Sequence, residues 1–311
     1  MAKNKRIAAV IGAGTALSAA TYLMTDYVMK FAMDRKRPRT PSVFRRDEDP
    51  YAMFNDAAAA LKAAPHEDVE TVSRDGIRLV GHWYENSEPK RIILAAHGWR
   101  SDWNRDFGYS YPFLRDHGCS ILYIEQRAQG DSDGDYMGFG LVERYDILDW
   151  LEWIKKRCGE ELPVYLAGIS MGATTVLMAS GLELPGNVKG IIADCGFTSP
   201  SDIWRHVARK TMHIPFLLTG LYSRMLCRKK IGMSSSYSTT DALKNNKLPV
   251  LFVHGQKDGF VPVEMTKKNY AACTSPKYIM IVPEADHGMS YYLAKEQYEQ
   301  KEMEFWDKYD K

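Results

Sequence analysis

Residues 164–179 read Val-Tyr-Leu-Ala-Gly-Ile-Ser-Met-Gly-Ala-Thr-Thr-Val-Leu-Met-Ala, and no other stretch of the chain limits its fold so tightly. A short apolar run, Val164 to Ala167, meets Gly168-Ile169-Ser170-Met171-Gly172 and passes directly into a helix-compatible segment. A strand that turns so sharply into a helix needs glycine on both sides of the apex, because a Cβ there would collide as the two elements fold back. The apex lifts the Ser170 hydroxyl clear of the backbone. The helix behind it offers unpaired N–H groups and a positive dipole end, which suit a developing oxyanion. A second G-x-S-x-G, Gly130-Asp131-Ser132-Asp133-Gly134, serves as a control. It follows a plausible strand (Ile121 to Ile124), but no helical segment comes after it, and two aspartates would oppose an anionic transition state. It reads as an acidic surface turn.

An unactivated serine is a poor nucleophile and needs a base, which in turn needs an anion to orient it. Downstream, Leu248 to His254 reads as a buried strand whose loop carries Asp258, and Lys277 to Val282 as another whose loop carries His287. Both residues thus sit just past carboxyl ends of predicted strands, the edge where open α/β sheets bind ligands. The order Ser170, Asp258, His287 differs from both serine-protease orders. Asp194, which also follows a strand (Gly190 to Ala193), remains the alternative acid. His254, next to a glycine at a strand end, reads as a packed or backbone-bonded ring, and His97 as structural. For the two oxyanion donors the backbone amides of Met171 and Trp99 are expected. Trp99 lies in the loop after the early strand Arg91 to Ala96.

These residues resemble the α/β-hydrolase superfamily, and within it the small bacterial serine esterases and lipase-like members. The resemblance spans roughly residues 68–308 and rests on His97-Gly98-Trp99, Gln126 to Ser132, the Ser170 turn, and Asp258 with His287. In such enzymes the second segment usually reads Asp-x-Arg-x-x-Gly-x-Ser; here Glu125 and Arg127 hold its early positions. The resemblance implies a mostly parallel, doubly wound eight-stranded sheet, with a helical cap inserted at about 197–247. It implies hydrolysis of a small-molecule or lipid ester through a Ser-His-Asp triad, with no cofactor and no metal. The fold hosts many chemistries. A thioesterase, an acyltransferase, a peptidase or a non-catalytic binding protein of the same fold therefore stay open.

A net charge of +2 gives no case for nucleic acid as a partner. Five scattered cysteines form no C-x-x-C pair and no disulfide framework. Oligomeric state is not legible. Residues 1–30 read as an N-terminal membrane anchor or signal segment, 31–67 as a basic linker with a helix, and 68–311 as the hydrolase domain. The uncharged run from Ile7 to Thr25 follows Lys3, Lys5 and Arg6, and is about long enough to cross a hydrocarbon core of ~30 Å. Membrane association through residues 7–25 is therefore expected, with secretion after cleavage at Ser18-Ala19-Ala20 and a helix packed on the protein as the alternatives, and the membrane side open. Gly12-Ala13-Gly14 lacks the third glycine of a dinucleotide fingerprint and reads as a decoy.

Overall fold

The computed structural model describes residues 2–36, 38, 51–213 and 216–310. Runs such as Arg91-Ile-Ile-Leu-Ala-Ala96 and Cys119-Ser-Ile-Leu-Tyr-Ile124 have no polar face to give to water, so they belong inside a parallel sheet covered on both sides. They form β3 (Arg91–Ala96) and β4 (Cys119–Ile124), and every residue in both is buried. The other strands are β1 (Glu67–Val72), β2 (Arg78–Tyr84), β5 (Val164–Ile169), β6 (Val188–Asp194), β7 (Val250–Gly255) and β8 (Lys277–Val282). All eight make one sheet in the order β1-β2-β4-β3-β5-β6-β7-β8. β1 and β2 pair antiparallel, β2 joins β4 antiparallel, and β4 onward is parallel.

The chain leaves β3 for β4 on one side and returns to β5 on the other. Their carboxyl ends therefore part at a topological switch point, the crevice where such sheets bind ligands. Alternation along β5 serves two cores. Val164 and Leu166 face a layer with α5 (Glu143–Cys158) and α6 (Met171–Ala179). Tyr165, Ala167 and Ile169 face a layer with α3 (Trp103–Phe107), α4 (Tyr111–Asp116) and α12 (Lys295–Tyr309). Between β6 and β7 stand α7 (Pro200–Lys210), α8 (Phe216–Ile231) and α9 (Thr239–Leu243), the expected cap. The expected α/β-hydrolase architecture is the one observed.

The N-terminal segment departs from expectation. Among the described residues no helix is long and apolar enough to cross a membrane. The run expected as an anchor lies within α1 (Ala2–Met33), which includes Gly12-Ala13-Gly14 as ordinary helix. Its apolar stretch is diluted by Ala, Gly, Ser and Thr, and its last turns carry Asp26 and Lys30, joined by an ion pair of 2.8 Å. Anchoring through residues 7–25, and with it the membrane location, is corrected on that ground. The end of α1 is instead built into the protein. Met29, Ala32 and Met33 are buried against Phe139, Met171, Leu226 and Cys227, and the buried Phe31 ring packs edge-on against Trp99. The helix's terminal carbonyls are also taken up. Trp99 Nε1 donates to Ala32 O at 2.8 Å, Arg100 to the carbonyls of Phe31 and Asp34, and the Met137 amide to Met33 O. Asp34 in turn pairs with Lys230 of α8 at 2.6 Å. Residues 37 and 39–50 of the expected basic linker lie outside the described residues; its helix is α2 (Asn55–Ala63).

Candidate active site

The turn after β5 is as tight as its sequence demands. A Cβ on Gly168 would sit 2.4 Å from the backbone of Gly172, and one on Gly172 only 1.9 Å from the carbonyl oxygen of Ala96. Ser170 itself takes φ +56°, a conformation L-residues rarely adopt. It is held there by its amide, which donates to Asp194 O at 2.8 Å, and by its carbonyl, which accepts from Thr174 N. Such strain at one non-glycine residue persists only when the surroundings over-determine it.

Three loops bring side chains to this serine. His287, in the loop after β8, places Nε2 2.9 Å from Ser170 Oγ and Nδ1 2.7 Å from Asp258 Oδ2. A carboxylate only accepts, so Nδ1 carries the proton and Nε2 is left to accept from the hydroxyl. Asp258, in the loop after β7, is buried yet fully partnered. Its Oδ1 takes the amides of Phe260 (2.9 Å) and Val261 (2.7 Å), and Oδ2 lies 3.1 Å from His254 Nε2. Burial alone would raise its pKa, but hydrogen bonds from His254 and His287 outweigh it and hold the carboxyl well below its usual range. For His287 burial disfavours the cation. The hydrogen bond to Asp258 and the charges of Asp258, Asp194 and Asp106 more than offset that, so its pKa lies above the ordinary imidazole value.

The alternative acid does not reach the base: Asp194 Oδ1 instead accepts from Ser290 Oγ at 3.0 Å, and burial pushes its pKa up to about 6. His97 donates from Nδ1 to Gly98 O and accepts the Gln126 amide at Nε2, a purely structural pairing. Trp99 follows β3 and borders the same cavity as Ser170, while Met171 opens α6, where first-turn amides have no helical partner. The neighbouring amide of Gly98 is already committed, donating to Asp106 Oδ2 at 2.6 Å.

Ser132 is neither an acidic surface turn nor near this chemistry. It is fully buried, donating to Glu125 O at 2.6 Å and accepting from Val80 N at 2.8 Å. Arg127 in the same loop pairs with Asp146 and Asp75.

Sequence reasoning missed three contributors. Asp106 is half-buried beside the Trp99 loop, where desolvation raises its pKa against hydrogen bonds from Ser101 and Gly98. His254 was read as a packed ring, and its added contact is the bond to Asp258. The third is α1. Two cavities meet at Ser170. One, of about 350 Å³, runs below the strand ends past Ile93, Ala95 and Ile192 to Glu302 of α12, a carboxyl that burial pushes up to about 8. The other, a slot of about 80 Å³, is walled by Met29, Phe31 and Ala32 of α1 with Phe139, Phe197 and Trp204.

Against known proteins, the sequence pattern of the prolyl oligopeptidase family matches residues 109–311. The uncharacterized protein YqkD of Bacillus subtilis is 25% identical over 233 residues, covering 75% of this chain and 76% of its own. The lysophosphatidylserine lipase of Xenopus tropicalis is 26% identical over 197 residues, covering 60% of this chain and 48% of that one. Among solved structures, an esterase of Pyrococcus furiosus superimposes with a TM-score of 0.67 at 20% identity, covering 88% of this chain and 97% of the esterase. An acylaminoacyl peptidase of Pyrococcus horikoshii gives 0.61 at 19% identity, over 86% of this chain and 45% of the peptidase.

Proposed function

Since the chain belongs to the prolyl oligopeptidase family and is a hydrolase of the esterase, lipase and peptidase type, we propose that it cleaves carboxylic esters through an acyl-enzyme on Ser170. The observation that carries this reading is the hydrogen-bonded series Ser170–His287–Asp258 at the mouth of two cavities. Ser170 Oγ attacks the ester carbonyl while His287 Nε2 takes its proton. The depressed Asp258 carboxylate stays ionised and stabilises the imidazolium. The oxyanion is received by the amides of Met171 and Trp99, the Gly98 amide being occupied by Asp106. His287 then protonates the departing alcohol. Water, deprotonated by the same imidazole, releases the acid and restores Ser170.

The narrow apolar slot beside α1 takes the acyl group, and its small volume favours short chains. The test is labelling with a fluorophosphonate probe, wild type beside Ser170→Ala, with p-nitrophenyl acetate, butyrate and octanoate assayed on the same samples. Labelling confined to wild type, with acetate and butyrate turned over faster than octanoate, is expected. Absence of labelling in folded wild type overturns the reading. The matching p-nitroanilides, run in parallel, identify a peptidase if they are cleaved as fast as the esters.

A further inference from the structure

At the antiparallel edge of the sheet, far from Ser170, three side chains converge that the hydrolytic site does not use. Asp68 of β1 and His82 of β2 are directly opposed in the ladder, so they share a face. His66 stands two residues before Asp68 and falls on that face by the two-residue period of an extended chain. β1 and β2 lie four and three positions from β5 in the sheet, about 15–20 Å at the usual strand spacing. One ligand atom from each of the three lies within 4.8 Å of the others. His82 Nδ1 is 2.7 Å, and His66 Nε2 3.2 Å, from the same Asp68 oxygen.

The outer nitrogens decide what this cluster is suited to. His66 Nδ1 lies 2.8 Å from the carbonyl oxygen of Ala64, which can only accept, so that nitrogen carries the proton. His82 Nε2 lies 3.1 Å from the carboxylate of Glu125, with the same consequence. In their neutral forms both imidazoles therefore aim a lone pair at one carboxylate oxygen. Such an arrangement repels itself unless a cation sits between. Both rings are also clamped in place: His82 stacks on Trp103 with centroids 4.1 Å apart, and His66 on Tyr84 at 4.8 Å. Histidine ligands backed by a carbonyl or a carboxylate are the outer arrangement that fixes tautomer and orientation in zinc sites.

We propose that His66, Asp68 and His82 form a binding site for a zinc ion. Two imidazoles and one carboxylate make a borderline donor set suited to this cation rather than to the hard magnesium or calcium. Asp68 is largely exposed and free to shift by the few tenths of an ångström that metal–ligand distances of about 2.0–2.2 Å require. Water completes the coordination from the solvent side. The ion ties the residue that leads out of the α2 region to the first two strands, so it acts as a staple on this edge of the sheet.

The experiment uses the full chain without a histidine tag, stripped with a chelator and desalted, then titrated with zinc chloride by calorimetry and followed by thermal melting. The expected result is one high-affinity ion per chain, a raised melting temperature, and no such response to magnesium or calcium. His66→Gln and Asp68→Asn, both at accessible positions, are each expected to weaken binding by about 10-fold or more. Their metal-free melting temperatures should stay at the wild-type value. His82→Ala, which also removes the stack on Trp103, is a secondary variant. Wild-type zinc affinity in His66→Gln and Asp68→Asn, as a shared site at Cys195, Asp258 and His287 would give, overturns the proposal. So does an equal response to magnesium.

Discussion

Two segments of this chain share one five-residue pattern, and their serines have opposite fates. Both follow a strand, β5 for Ser170 and β4 for Ser132, and both serines are buried, at 5% and 0% exposure. What separates them is where the hydroxyl is committed. Ser132 Oγ is used up between a carbonyl and an amide, joining the Glu125 loop to β2. Ser170 Oγ faces only an imidazole that is itself fixed by a carboxylate. The glycines differ in the same way. At Gly172 an added Cβ meets the rigid backbone of Ala96, whereas at Gly130 it meets the carboxylate of Glu125, the end of a side chain. Burial and motif are common to both; the proposed reactivity of Ser170 rests on the partner left free to move a proton.

That contrast can be broken most forcefully at Ser170. Ser170→Ala is expected to lower kcat/KM for p-nitrophenyl butyrate by about 10⁴-fold or more while leaving the melting temperature unchanged. A comparable loss in Ser132→Ala, measured on folded protein, would erase the distinction. Asp258→Asn comes next, with a fall of roughly 10³–10⁴-fold, because the neutral amide no longer holds His287 in the productive tautomer.

The pH profile sharpens the same point. In the proposed mechanism His287 serves as base only when neutral, and its pKa is raised in the folded protein. The wild-type rate should therefore fall as pH drops through a midpoint above 6.5. In Asp258→Asn the cation loses its main support, and that midpoint should move down. A midpoint unmoved by the substitution would remove Asp258 from the base's surroundings.

A smaller effect is expected at Ser132, and of a different kind. Ser132→Ala leaves a buried carbonyl and a buried amide without their partner, which costs about 1–3 kcal/mol. Urea unfolding should show that loss, with kcat/KM of the folded enzyme unchanged within about twofold. Smallest is Met29→Ala on the wall of the narrow slot. The ratio of octanoate to acetate turnover should rise by roughly 10-fold or less, the range that a few methylenes of pocket space supply.

Much of the candidate site's geometry was legible because it is written locally. The glycine spacing around Ser170 follows from sterics within five residues, and Asp258 and His287 are marked by the apolar strands that end just before them. The overall sheet could be read from the same alternation of apolar runs. What escaped was built by register and long-range docking. Ser132 looked exposed because its flanking aspartates are, at 57% for the Asp133 side chain, although its own hydroxyl points inward. The convergence of His66 with Asp68 and His82 depends on a cross-strand pairing that no spacing rule announces. Asp106 is eight residues from the Gly98 amide it accepts, and it sits within the short helix α3, which carries no sequence signal of that contact. The seating of α1 was hidden most deeply, since its partners are an indole, a guanidinium and an ammonium brought from residues 99, 100 and 230.

The last of these partners has a kinetic consequence. Lys230 lies 196 residues beyond Asp34, and the cap helix that carries it is made long after α1 has left the ribosome. At about 5–20 residues per second, α1 waits ~10–40 s before the α8 part of its seat exists. Met29 and Met33 meet Phe139 and Met171 earlier, and the Trp99 loop finds its α1 carbonyls as soon as it is made, but the cover that Leu226 and Cys227 of α8 supply is absent throughout that interval. An element that precedes the whole sheet is thus among the last to be fully seated, and the narrow slot is closed only after α8 and Phe260 have been added.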